Sequence, residues 1–96
     1  MLSQHQINII IETMKPYNPK KIGIFGSFAR GENTENSDID ILYNFDLSSN
    51  MTFSKLFEIQ EELEKRLNKS VDLVPEKYLY PLIKDNILND LKIIYG

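Results

Sequence analysis

Cysteine is absent from this 96-residue chain, and histidine occurs once, as His5. The first absence removes disulfides, thiolate zinc sites and cysteine nucleophiles together, and it fits a reducing, cytoplasmic compartment. The second excludes a histidine-rich metal centre by count. It also leaves a Ser-His-Asp hydrolase with one imidazole, far in sequence from any candidate partner. Long apolar runs are missing too. Stretches such as Ile9–Ile11 fall well short of the roughly 20 residues that span a bilayer, and the opening Met-Leu-Ser-Gln-His has neither the basic nor the apolar part of a secretory signal. Arginine is scarce, at positions 30 and 66 only; the longest basic run is Lys20-Lys21, and the net charge is -3. Releasing counterions from nucleic acid takes many Lys and Arg side chains. Extended nucleic-acid binding is therefore disfavoured, and a protein or small-molecule acceptor fits better.

What is present reads as a globular domain. Apolar residues make up 42% and charged residues 26%, enough for one core over residues 1–96 and little room for a second lobe. Ser3 and Gln6 have capping-box spacing ahead of Ile7, Ile10, Ile11 and Met14, which recur at helical intervals; Pro16 and Pro19 end that helix. A β-prone run, 21–25, closes at Gly26, and a short helix starts at Ser27 and stops at Gly31. After a polar loop over 32–37, residues 38–45 alternate with the period of a strand. Residues 52–67 form the clearest helix, with Phe53, Leu56, Phe57, Leu63 and Leu67 on one face. Its polar side carries the i,i+4 pairs Glu61–Lys65 and Glu62–Arg66. A strand over 71–74 stops at Pro75, a helix over 81–90 begins with Pro81 in its first turn, and a short strand over 91–95 follows. The order α-β-α-β-α-β-α-β implies an α/β fold with helices covering a sheet. Within it the Phe53-Leu56-Phe57 stripe is expected in the core and the acidic run 58–64 on a solvated face. Lys20 and Lys21 are expected to flank their strand in solvent, and Tyr78 and Tyr80 to flank the fourth helix.

Three segments carry chemistry. Gly26-Ser27-Phe28-Ala29-Arg30-Gly31 follows a strand directly. Without a Cβ at Gly26 a ligand can approach the backbone closely, and the helix start offers N–H groups and partial positive charge to phosphate. Ser27 adds a hydroxyl and Arg30 a guanidinium. Two familiar phosphate loops do not fit: Glu32-Asn33 stand where the P-loop requires Lys followed by Ser or Thr, and Gly23, Gly26 and Gly31 have the wrong spacing for a dinucleotide fingerprint. A plain tight turn with Arg30 in a surface ion pair explains this segment alone equally well.

The second segment is Ser37-Asp38-Ile39-Asp40-Ile41. On a strand Asp38 and Asp40 share one face while the isoleucines share the other. Two adjacent carboxylates repel unless a cation lies between them, and magnesium, a hard ion with oxygen ligands, suits that place. The third is Asp72, an acid inside the apolar strand Val71-Asp72-Leu73-Val74, where aspartate is disfavoured. Three carboxylates on one cleft are able to hold two metal ions. The plain alternatives are solvated strand edges in both cases.

The combination Gly26-Ser27-x-x-Arg30-Gly31, Ser37-Asp38-x-Asp40 and Asp72 resembles the nucleotidyltransferase superfamily that includes DNA polymerase beta, and within it the minimal nucleotidyltransferases. These commonly act as antitoxins to an all-helical HEPN ribonuclease toxin. The resemblance covers residues 22–95. It implies a polymerase-beta-like fold with a short mixed sheet covered by helices, and a metal-dependent transfer of a nucleoside monophosphate. It further implies that Gly26 and Ser27 hold the triphosphate with Arg30 in support, binding phosphate or bracing the loop against Glu32 or Glu35. Asp38, Asp40 and Asp72 would bind two Mg2+ ions and serve catalysis. The implied donor is ATP or another nucleoside triphosphate, and the implied acceptor a tyrosine hydroxyl of the toxin. With no second domain expected, a partner or second copy completes the cleft, as a homo- or hetero-oligomer. The rival is an antitoxin that neutralises its toxin by binding alone; transfer to a small molecule ranks below both.

Overall fold

The chain runs α1 (Gln4–Met14), β1 (Pro19–Phe25), α2 (Ser27–Arg30), β2 (Ile39–Phe45), α3 (Phe53–Leu67), β3 (Val71–Pro75), α4 (Pro81–Asp90) and β4 (Lys92–Tyr95). The structure is a computed structural model that describes residues 1–78 and 81–96. Helix and strand alternate in the expected order. Tyr80, expected beside α4, lies outside the described residues.

Local chemistry explains several boundaries. The Ser3 hydroxyl accepts the Gln6 N–H at 3.1 Å while the Gln6 side chain accepts the Ser3 N–H at 2.9 Å, which satisfies two of the donors a helix start leaves open. Pro16 sits in a 3-10 turn, Lys15–Tyr17, and Pro19 opens β1 rather than closing α1. The first position of a strand is one of the few that tolerates proline. Thr52 caps α3 by accepting the Lys55 N–H at 3.2 Å, and Asn68 ends it in the left-handed conformation, φ 54°.

The sheet has the order β3-β2-β1-β4. β1 pairs antiparallel with both β2 and β4, whereas β2 pairs parallel with β3, so the sheet is mixed. One face supplies Ile22, Ile24, Ile39, Ile41 and Val71 to a core completed by Ile9, Ile10 and Met14 of α1 and Ile59 and Leu63 of α3. Burying each such side chain contributes about 1.5–3 kcal/mol. The other face carries the register pairs Gly23 with Leu42 and Asp40 with Asp72. A Cβ on Gly23 would collide with Leu91, so glycine there lets the α4–β4 connection lie on the sheet.

Four further expectations need correction. Phe53 and Phe57 are 91% and 60% exposed; the inward face of α3 is Ile59, Leu63 and Leu67. The helical period of residues 53, 56, 57, 63 and 67 straddles two flanks, and only one meets the sheet. Lys21 lies within β1 and pairs with Glu76 at 2.7 Å. Arg66 reaches across to Glu12 at 3.1 Å and to the Thr13 hydroxyl at 3.0 Å, tying α3 to α1. Glu64 is half-buried and accepts the Val71 N–H, so it does not belong to the solvated face. Among the described residues no helix is long and apolar enough to cross a membrane.

Candidate active site

β1 ends at Phe25, whose register partner is Asp40, and the chain leaves the sheet at Gly26. There the backbone takes φ 74° and ψ -154°, a region essentially restricted to glycine. The Gly26 carbonyl accepts the N–H groups of Ala29 and Arg30, both at 3.1 Å. The first two N–H groups of α2, on Ser27 and Phe28, precede any intrahelical acceptor. A Cβ on Gly26 would overlap the Asp40 carboxylate. Backbone N–H donors and a carboxylate thus meet at one spot.

Asp40 and Asp72 are direct partners on the parallel strands β2 and β3, so both project from the face opposite α1 and α3. Asp38 precedes the first residue of β2 and is exposed; it is not part of the regular strand. Its charge still reaches Asp40. The Asp40 carboxyl is pushed up to about 6 by burial first, then by the charges of Asp72 and Asp38 and a hydrogen bond shared with Asp72, with Arg30 pulling it down. Among the described residues no three acidic or imidazole side chains close on a common ligand point. The two that meet are Asp40 and Asp72, with Asp38 at the rim.

This donor set fits a divalent cation. Its atoms are hard carboxylate oxygens, and the mutual repulsion that raises Asp40 is what a cation between them relieves. Arg30 has its guanidinium occupied: Nε donates to Glu32 at 3.0 Å and Nη1 to Asp90 at 2.6 Å. These bonds raise its pKa and brace α2 against the end of α4. Asp90 is not legible in the sequence as a partner because it lies 60 positions from Arg30; Glu32 is within local reach.

Residues 6–94 match the nucleotidyltransferase domain family. The chain belongs to that family. Protein adenylyltransferase MntA of Thermococcus cleftensis is 34% identical over 96 residues, spanning 95% of each chain. A candidate protein adenylyltransferase of Methanocaldococcus jannaschii is 47% identical over 76 residues, 78% of this chain and 76% of that one. Among solved structures, a toxin–antitoxin complex with AMP-PNP aligns at a TM-score of 0.79 and 26% identity, covering 94% of this chain and 73% of its own. The structure of a candidate minimal nucleotidyltransferase aligns at 0.79 and 27% identity, covering 93% and 89%. The nucleotidyltransferase has the fold of the minimal members, a mixed sheet with helices packed on it.

Proposed function

We propose that this nucleotidyltransferase moves AMP from ATP to a hydroxyl of a partner protein, a tyrosine of a HEPN ribonuclease toxin, and so acts as its antitoxin. The observation that carries the reading is that Asp40, the register partner of Asp72, lies against the Gly26 turn. AMP as the transferred group is supported by the relatives named protein adenylyltransferase, and a toxin as partner by the similar toxin–antitoxin complex with AMP-PNP.

Each residue has a stated part. Gly26 leaves room for the triphosphate, and the Ser27 hydroxyl and the first N–H groups of α2 donate to its oxygens. Asp38, Asp40 and Asp72 would hold two Mg2+ ions. When bound, Mg2+ supplies charge neutralisation at the phosphates and lowers the pKa of the acceptor hydroxyl. Asp72, on the edge strand β3, would take the proton as the acceptor oxygen bonds to the α-phosphorus and pyrophosphate leaves. Arg30 holds α2 in place.

The deciding experiment incubates the chain with labelled ATP, Mg2+ and the candidate partner, followed by intact mass measurement. One or more AMP masses on the partner is the expected outcome. An unmodified partner that is still neutralised, also by a folded Asp38→Ala/Asp40→Ala variant, establishes the binding-only antitoxin instead.

A further inference from the structure

Among the described residues β3 is an edge strand, flanked by β2 alone. The Ser70 carbonyl accepts the Ile39 N–H at 2.9 Å, so in the alternating parallel ladder the backbone groups of Asp72 turn toward β2 and those of Val71 turn outward. At Val71 helix α3 stands in for the missing neighbour. Gln60 Nε2 donates to the Val71 carbonyl at 2.9 Å, and Glu64 Oε2 accepts the Val71 N–H at 2.9 Å. Residues 60 and 64 are one turn apart on the same flank. Together they grip both outward groups of one residue, and that residue immediately precedes Asp72.

We propose that Gln60 and Glu64 are positioning residues that hold Asp72 in register against Asp40, and so set the metal-binding geometry. The proposal rests on the reading of Asp72 as a metal ligand. The need for such a grip is physical. An edge strand has half its backbone bonds unmade, and a slip of one residue would turn Asp72 to the helix side and expose Val71. Asp72 is itself exposed, so burial of its own side chain does not fix it and its register depends on Val71. Val71 is 1% exposed, and the two hydrogen bonds lock its backbone while its side chain enters the core.

The test measures ATP binding by the full chain with Mg2+ and with EDTA, in wild type, Gln60→Ala, Glu64→Ala, Glu64→Gln and Asp72→Asn. Amide exchange at Val71 reports the grip directly. A glutamine at 64 still accepts the Val71 N–H, so Glu64→Gln should behave as wild type in every readout. Glu64→Ala and Gln60→Ala should weaken binding with Mg2+ by about tenfold, with binding in EDTA unchanged; in Glu64→Ala exchange at Val71 accelerates. Asp72→Asn should lose the Mg2+-dependent increment altogether. If Glu64→Ala and Gln60→Ala keep the increment while Asp72→Asn loses it, the positioning role is wrong and the metal-ligand reading stands. If Glu64→Gln is as impaired as Glu64→Ala, charge matters and the grip does not. If Asp72→Asn keeps the increment, both readings fall.

Discussion

A Cβ on Gly26 would overlap Oδ2 of Asp40, so the turn that offers N–H donors and the carboxylate that faces them are in contact. The backbone at Gly26, with φ 74° and ψ -154°, is itself poorly accessible to other residues. Gly26→Ala therefore combines backbone strain with a displaced carboxylate. It should destabilise the fold by about 1–3 kcal/mol and weaken ATP binding, as read by urea unfolding and by titration. A substitution with wild-type stability and affinity would show that the turn tolerates a side chain.

Asp40 gives the chain a pH dependence whose sign is fixed. Its carboxyl stands at about 6 against an ordinary aspartate value of 3.8, so the folded state binds the proton more tightly than the unfolded chain. The stability this contributes is present at low pH and is lost as pH rises from about 4 through about 6. Solvent screening of this half-exposed group limits the loss to about 1 kcal/mol. Without metal, Asp40→Asn should melt higher than wild type at pH 8 and nearly equal to it at pH 4. Mg2+ should raise the melting temperature of wild type more at pH 8 than at pH 5, and not that of Asp40→Asn. Equal Mg2+ shifts in the two proteins would place the ion elsewhere.

The two phenylalanines of α3 separate exposure from hydrophobicity. Phe53→Ser and Phe57→Ser should change stability by no more than about 0.5 kcal/mol, since both side chains are largely in water. Leu63→Ala, at a fully buried position on the same helix, should cost about 2–5 kcal/mol. Denaturant unfolding of the three variants checks both halves. A large loss at Phe53 would mean that it packs against something in solution.

Local signals made most of the fold legible. The Ser3–Gln6 box, the glycine after β1 and the alternation through Asp40 depend on neighbours within a few residues, and their elements form where the sequence pattern places them. Strand neighbours are another matter. The period of residues 38–45 assigns Asp40 to a face, but only the parallel pairing of β2 with β3 puts Asp72 opposite it. That pairing is set by how α3 packs, through Ile59, Leu63 and Leu67, and no short spacing encodes it. The same limit explains Phe53 and Phe57: helical periodicity finds apolar residues without saying which flank meets the sheet. It also explains Arg66, whose sequence-local partner Glu62 yields to Glu12 on a helix 54 positions away.

Arg30 invites a test of bracing against direct phosphate contact. Its bonds to Glu32 and Asp90 leave the guanidinium joining α2 to α4, and its charge lowers the Asp40 pKa through space. If bracing is the role, Arg30→Ala and Asp90→Ala break the same connection. The two single variants should then lose similar ATP affinity, and the double variant should be no worse than either, because residues that act through one contact are not additive. A phosphate-binding Arg30 gives a different pattern: Arg30→Ala falls well below Asp90→Ala, and the loss shrinks at high salt, where exposed charges are screened. Titration of the three variants with ATP at two salt concentrations distinguishes the cases, and the expected result is the first.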